Sequence, residues 1–194
     1  MYTRLKLIDR ITDGNKMKKG LIVVDMLNDF IKQDGALFCG PTAQAIVPFI
    51  KARIEEYRAN KHPVIFLADD HAIDDKEFNR FPKHCVMGTH GAEIIDELNF
   101  TTGVDSLVRK TRYSGFYNTT LDFTLNVHFG LKPNNSVIEV VGVCTSICVM
   151  DTVGDLSNRD WPVVIHKNCV ADFDPEMHNM ALKRMANLYG AEII

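Results

Sequence analysis

Two hydrophobic periods alternate along this chain. Short apolar runs at residues 21–24 (LIVV), 64–68 (VIFLA), 137–143 (VIEVVGV) and 162–166 (PVVIH) read as strands buried on both faces. Only Glu139 and Gly142 interrupt the run at 137–143. A weaker strand covers residues 106–109 and ends at Lys110, and residues 191–194 read as a last one. Helical spacing fills the intervals. Pro48 opens a helix at its first position, with Ile50, Ile54 and Tyr57 as its apolar stripe and Lys51, Arg53, Glu55 and Glu56 on its wet side. His62-Pro63 ends it. A shorter helix is expected over 92–98 and another over 118–129, with Leu121, Leu125 and His128 or Phe129 on one side. Thr145 and Ser146 are placed to cap a helix running from Ile147 to about Leu156. Asp174-Pro175-Glu176 supplies an N-cap, a proline at the first position and an acid at the second. Met177, Ala181, Met185 and Leu188 then form a stripe that Gly190 closes.

This alternation predicts an α/β fold: a parallel sheet covered by helices on both faces. The 194 residues fit one domain, and no linker, repeat or low-complexity segment divides them. Residues 1–18 are polar and weakly patterned, so they read as an N-terminal extension to a domain spanning 19–194. Met17 before Lys18 and Lys19 is a possible alternative start.

Composition narrows the function. Hydrophobic residues make up 46% and charged ones 24%, as in ordinary globular proteins, and the net charge of -3 with no basic block argues against nucleic-acid binding. No apolar run approaches a bilayer span, and the N-terminus has no apolar signal core. The five cysteines, Cys39, Cys85, Cys144, Cys148 and Cys169, are odd in number and irregularly spaced. They do not suggest a secreted disulfide scaffold, and a reducing cytoplasm is the expected compartment.

Candidate chemistry collects at the C-terminal ends of the strands, which share one edge in a parallel sheet. Asp25, Lys110 and Cys148 all fall there. Cys148 is expected in the first turn of its helix, where the dipole would ease loss of the thiol proton. A carboxylate can take that proton, and a lysine can hold the thiolate. Taken singly, Cys148 reads equally well as a structural cysteine, Asp25 as a turn cap and Lys110 as an exposed lysine.

A second cluster is Asp69, His71, Glu77 and His84. Asp-x-His at a strand end puts two side chains on one face, and the long polar loop over 70–90 can return the other two. Two imidazoles with carboxylates suit zinc, iron(II) or manganese better than calcium, although solvated loop residues would look similar. Asp70, Asp74 and Asp75 lie in the same loop. His62, His90, His128, His166 and His178 have no such company. Cys144 lies four residues before Cys148, which is not thioredoxin-like spacing, and Cys39, Cys85 and Cys169 read as core or loop cysteines.

From about Lys19 onward these residues resemble the isochorismatase-like cysteine hydrolases. The resembling segments, in order, are LIVVDMLNDF, GALFCGPTAQAIVPFI, FPKH, RKTRYSGF with its Lys-x-x-x-Ser-x-Phe, the nucleophile turn GVCTSICVMDT, and DPEMHNMAL. Cys148 separates the chain from the isochorismatases proper, which lack that nucleophile. The metal set points to the nicotinamidase subgroup.

The resemblance implies a six-stranded sheet of order 3-2-1-4-5-6 in a Rossmann-like three-layer sandwich. It implies Asp25, Lys110 and Cys148 as catalytic residues. It further implies a cis Val143–Cys144 peptide, with the N–H groups of Cys144 and Cys148 as oxyanion hole. Asp69, His71, Glu77 and His84 would hold one divalent metal, zinc first, with iron or manganese as alternatives. Phe30, Phe81 and Tyr113 would surround a pyridine ring. The implied substrate is nicotinamide, hydrolysed to nicotinate and ammonia. Self-association is left open. Ser146 (often Asp in the family), Lys83 and the N-terminal segment depart from the pattern. Two other readings stand beside this one: another small-amide or carbamoyl amidohydrolase of the superfamily, and a non-catalytic or redox protein using Cys144 and Cys148.

Overall fold

The computed structural model describes residues 17–131, 133 and 135–194; the expected N-terminal extension lies outside them except for its last two residues. Six strands, β1 (Lys18–Val24), β2 (Val64–Asp69), β3 (Ser106–Lys110), β4 (Ser136–Val143), β5 (Val163–Ala171) and β6 (Glu192–Ile193), form one sheet of order β3-β2-β1-β4-β5-β6. All of its pairings are parallel. Helices α1 (Asn28–Ile31), α2 (Pro41–Ala45) and α3 (Val47–Ala59) precede β2, and α4 (Leu121–Phe129) precedes β4. Helices α5 (Met150–Asn158) and α6 (Pro175–Asn187) flank β5. None of the described helices is long and apolar enough to cross a membrane.

The strands read as continuous apolar runs because each face has its own core. Leu21, Val23 and Phe66 pack with Ile50, Ile54 and Tyr57 of α3. Ile22, Val24, Ile65 and Leu67 pack with Leu121 and Leu125 of α4, Val153 and Leu156 of α5, and Ala181 and Met185 of α6. A one-residue slip of β1 would exchange the two sets, so the register is fixed from both sides. The interruption at Glu139 is resolved by partners. Arg53 Nε lies 2.7 Å from Glu139 Oε1 and Arg53 Nη2 2.5 Å from Oε2, and the Tyr57 hydroxyl donates to Oε2 at 3.0 Å. Arg53, expected on the wet side of its helix, therefore reaches back over the sheet to neutralise a buried acid.

The order reverses between β1 and β4, and that switch point is where ligands bind in open α/β sheets. Gly142 lies on it. Its φ is 119°, and a Cβ there would stand 2.0 Å from the Val24 carbonyl oxygen, so the two central strands approach as only glycine allows.

Several local expectations change. Residues 92–98 are not one helix but two 3₁₀ turns, His90–Ala92 and Asp96–Leu98, because Ile94 between them forms an antiparallel bridge to Leu27. Helix α4 starts at Leu121 and not at 118, since Asn118 is left-handed (φ 52°). Strand β5 runs on to Ala171 through a register shift. On α6 the core face is Ala181 and Met185, while Met177 and Leu188 are 43% and 63% exposed. The Asp174 cap holds: its Oδ1 accepts the N–H groups of Glu176 and Met177.

Candidate active site

The sheet order places the ends of β3, β2, β1 and β4 side by side, and with them Lys110, Asp69, Asp25 and the turn carrying Cys148. Asp25 follows β1 in a left-handed conformation (φ 51°), which aspartate tolerates better than branched residues. Its Oδ1 accepts the Asp69 N–H at 3.1 Å, and its Oδ2 lies 2.7 Å from Lys110 Nζ. Lys110 Nζ also donates to Asp69 Oδ1 at 2.6 Å and to Cys148 Sγ at 3.5 Å. All four residues are buried.

Burial and the charge of Asp69 raise the Asp25 carboxyl to about 7, against the pull of Lys110. Burial works against the Lys110 ammonium, but Asp25 and Asp69 outweigh it and hold the proton well above the ordinary range. The Cys148 thiol is pushed well above its ordinary value by burial and by Asp25 and Asp69, with Lys110 opposing.

That last direction corrects the expectation of an acidified thiol. Residues Thr145–Val149 form a π-helical turn before α5, and Cys148 lies near its end, 7% exposed. It does not sit in the solvated first turn of an α-helix, and desolvation disfavours the thiolate. An Asp25 carboxyl oxygen lies within 4.8 Å of the Cys148 sulfur, close enough to receive the thiol proton.

Thr145 and Ser146 do not cap the turn with their side chains either. The Val143–Cys144 peptide is cis. Cys144 Sγ lies 3.2 Å from Cys39 Sγ, and this contact, then burial, raises its thiol.

Beside this group, one ligand atom from each of Asp69, His71 and His84 falls within 4.8 Å of the others. His71 Nδ1 lies 3.1 Å from Asp75 Oδ2, and His84 Nδ1 lies 2.7 Å from the Pro82 carbonyl. Those bonds occupy Nδ1 in both rings and leave Nε2 as the ligating atom, the usual outer support of a metal-bound histidine. His71 Nε2 and Glu77 Oε2 are buried without a hydrogen-bond partner. Burial lowers the His71 pKa, but Asp69 and then Asp75 raise it to about 9. A buried imidazole nitrogen, an orphaned carboxylate oxygen and a surplus of acid fit a divalent cation. Arg112 steadies Asp75 from outside at 3.0 Å.

A cavity of about 360 Å³ joins the two groups. Asp25, Asp69, Glu77, His84, Cys144 and Cys148 supply its chemistry, and Phe30, Phe81 and Tyr113 its aromatic walls. Among the described residues, no lysine or arginine belongs to its lining, although Lys110 contacts Asp25 and Cys148 in its wall.

The Isochorismatase domain family model matches residues 19–194. The chain belongs to the isochorismatase family. Within that family it is similar to the crystal structure of nicotinamidase/pyrazinamidase PncA from Bacillus subtilis, with 35% identity and a TM-score of 0.82 over 91% of this chain and 99% of that one. It is also similar to N-carbamoylsarcosine amidase from Thermoplasma acidophilum, with 32% identity and a TM-score of 0.79 over 91% and 95% of the chains. A third similar structure is the pyrazinamidase of Pyrococcus horikoshii in complex with zinc, at 27% identity and a TM-score of 0.80 over 91% and 98%.

Of the site residues singled out from this isochorismatase-family sequence, Asp25, Phe30, Asp69, Glu77, Phe81, His84, Tyr113, Cys144 and Cys148 line the cavity, whereas Lys110 and His71 do not line it but contact residues that do. Glu77 stands next to the Asp69, His71 and His84 group without being one of its three closest members. Sequence reasoning missed Leu37, Phe38, Ile147 and Phe173 in the cavity wall, and Asp75 as the partner of His71. Asp75 carried a weak signal, four residues after His71. The wall residues carried none, since loop side chains such as Leu37, Phe38 and Phe173 follow no periodicity.

Proposed function

We propose that this protein is a nicotinamidase, hydrolysing nicotinamide to nicotinate and ammonia through a thioester on Cys148. The observation that carries the reading is the cavity itself: aromatic walls and a metal-type donor set facing a Cys–Asp–Lys group. Asp25, poised near neutrality, takes the Cys148 proton as sulfur attacks the amide carbon. The Lys110 ammonium supports the charge on sulfur and carboxylate. The N–H groups of Cys144 and Cys148 would receive the developing oxyanion. Asp25 returns the proton to the departing nitrogen, which leaves as ammonia. It then takes a proton from the water that opens the thioester, releasing nicotinate and restoring the thiol.

Asp69, His71 and His84, with Glu77, would hold one divalent cation. Zinc is the first candidate on this donor set, and iron or manganese is also compatible. Bound there, the cation would supply a coordination position for the pyridine nitrogen. Phe30, Phe81 and Tyr113 would stack on the ring.

The similarity to N-carbamoylsarcosine amidase favours a second reading, a carbamoyl amidohydrolase. An N-carbamoyl amino acid carries a carboxylate, for which the cavity wall offers no lysine or arginine among the described residues, whereas Phe30, Phe81 and Tyr113 suit a flat ring. Ammonia release from nicotinamide, benzamide and N-carbamoylsarcosine tests both readings. Turnover of nicotinamide alone supports the first, and preference for the carbamoyl acid would replace it with the second.

A further inference from the structure

We infer that Asp172, assisted by His178, is the positioning residue that seats the nucleophile turn from behind. The turn Thr145–Val149 has no cap from its own side chains. The Ser146 N–H instead donates to Asp172 Oδ2 at 2.7 Å. One residue earlier, the buried Thr145 hydroxyl lies 2.9 Å from His178 Nδ1. Two consecutive residues of the turn are therefore gripped from the junction of β5 and α6.

The grip is itself held rigidly. Asp172 directly follows Ala171, which pairs in register with Val143 at the foot of the turn. Asp172 is 4% exposed, its Oδ1 accepts the Asp174 N–H at 3.3 Å, and its carbonyl accepts from Thr42 Oγ1 at 3.0 Å. A charge-assisted bond to a backbone N–H is among the stronger polar contacts available. Cys148 thus lies between two fixed points: Lys110 on its sulfur, and Asp172 on the backbone two residues before it.

Asp172 is not among the residues lining the cavity, so it acts through the turn and not on the substrate. Attack on an amide needs the sulfur placed to a fraction of an ångström, and a displacement of about 1 Å can cost about 10²-fold in rate. Loss of the seat should therefore appear in kcat and leave KM nearly alone.

The inference rests on Cys148 being the nucleophile, and its test separates the two ideas. Asp172→Ala and Asp172→Asn are compared with wild type in the full chain, with thermal denaturation as the folding control. On nicotinamide, Asp172→Ala should lower kcat about 10- to 100-fold with KM within about threefold. Asp172→Asn, whose amide oxygen can still accept the Ser146 N–H, should recover most of that loss. Unchanged kcat in Asp172→Ala, a loss confined to KM, or an Asn variant no better than Ala would overturn the assignment. Should Asp172→Ala not fold, His178→Ala decides by the same kcat-against-KM comparison. Should wild type leave nicotinamide intact, the nicotinamidase reading fails by itself, and the variants are ranked by the rate at which iodoacetamide labels Cys148, read by peptide mass. Slower labelling in Asp172→Ala, restored in Asp172→Asn, supports the seat; unchanged or faster labelling ends it.

Discussion

The Lys110 ammonium donates to Asp69 Oδ1 at 2.6 Å inside the protein, and the same nitrogen lies 2.7 Å from Asp25 Oδ2. One buried cation therefore joins the carboxylate proposed to handle protons to the carboxylate that faces the metal-type histidines. Its removal would leave two desolvated acids facing each other. Lys110→Ala should lower stability by about 3–5 kcal/mol, the usual result of breaking a buried ion pair from one side. It should also raise the Cys148 thiol further, because Lys110 is the group that opposes burial there. Urea denaturation and thiol titration measure the two effects. An unchanged midpoint with an unchanged titration would remove the electrostatic role assigned to Lys110.

Asp25→Asn should divide activity from stability. The amide has one oxygen, so it can accept from the Asp69 N–H only by turning its NH2 toward the Lys110 ammonium, and it cannot carry a proton; kcat should fall by about 10²–10⁴-fold. The stability effect follows from linkage. Asp25 binds its proton more tightly folded, at about 7, than at the ordinary 3.8. Ionised Asp25 therefore costs the folded state above pH 3.8, progressively up to about pH 7 and fully beyond it. The neutral asparagine avoids that cost. In chelator-treated protein, the stability of Asp25→Asn relative to wild type should rise as the pH goes from 4 to 8. A difference between the two that does not move with pH over that range would contradict the raised carboxyl.

The two cysteines of the turn should behave differently. Cys148 Sγ contacts Lys110, whereas Cys144 Sγ contacts Cys39. Cys148→Ala should abolish hydrolysis. Cys144→Ala should keep much of it, because only the backbone N–H of Cys144 is assigned a role. Full activity in Cys148→Ala would end the cysteine-hydrolase reading. The contact of Cys144 with Cys39 also weakens the alternative of a redox pair with Cys148. Intact-mass analysis of protein acid-quenched during turnover should find an acyl adduct on Cys148 and no disulfide.

Much of this site was legible because parallel strands announce themselves. LIVV, VIFLA and VIEVVGV each end beside a residue with chemistry, and the shared edge of the sheet brings Asp25, Asp69 and Cys148 together. The less legible parts depend on contacts between distant residues. Arg53 looked solvated until Glu139 lay beneath it. Thr145 and Ser146 looked like caps, yet their partners are His178 and Asp172. The state of the Cys148 thiol was misread because helix position was weighed without burial, and desolvation is the larger effect in a closed site. Lys110 was assigned to one cluster, and only the pairing of Asp69 with Lys110 across β2 and β3 gives it to both.

Substrate recognition offers the sharpest separation between a nicotinamidase and a generic amidase. Nicotinamide and benzamide are nearly the same size, and both rings fit against Phe30, Phe81 and Tyr113. They differ in one ring nitrogen. If Asp69, His71 and His84 hold a cation with an open position, that nitrogen has a partner and the benzene ring has none. A site built around a polar partner rejects the analogue lacking it more strongly than a pocket that senses shape alone. The difference should reach kcat as well as KM, because the anchor orients the amide toward Cys148. His84→Ala, or a chelator, should lower nicotinamide turnover toward the benzamide level and leave benzamide little changed. The measurement is kcat/KM for both amides, before and after metal removal and after zinc is restored. Equal values in the metal-loaded enzyme would exclude recognition through the ring nitrogen. The aromatic cavity and Cys148 would then belong to an amidase that selects its substrate by shape.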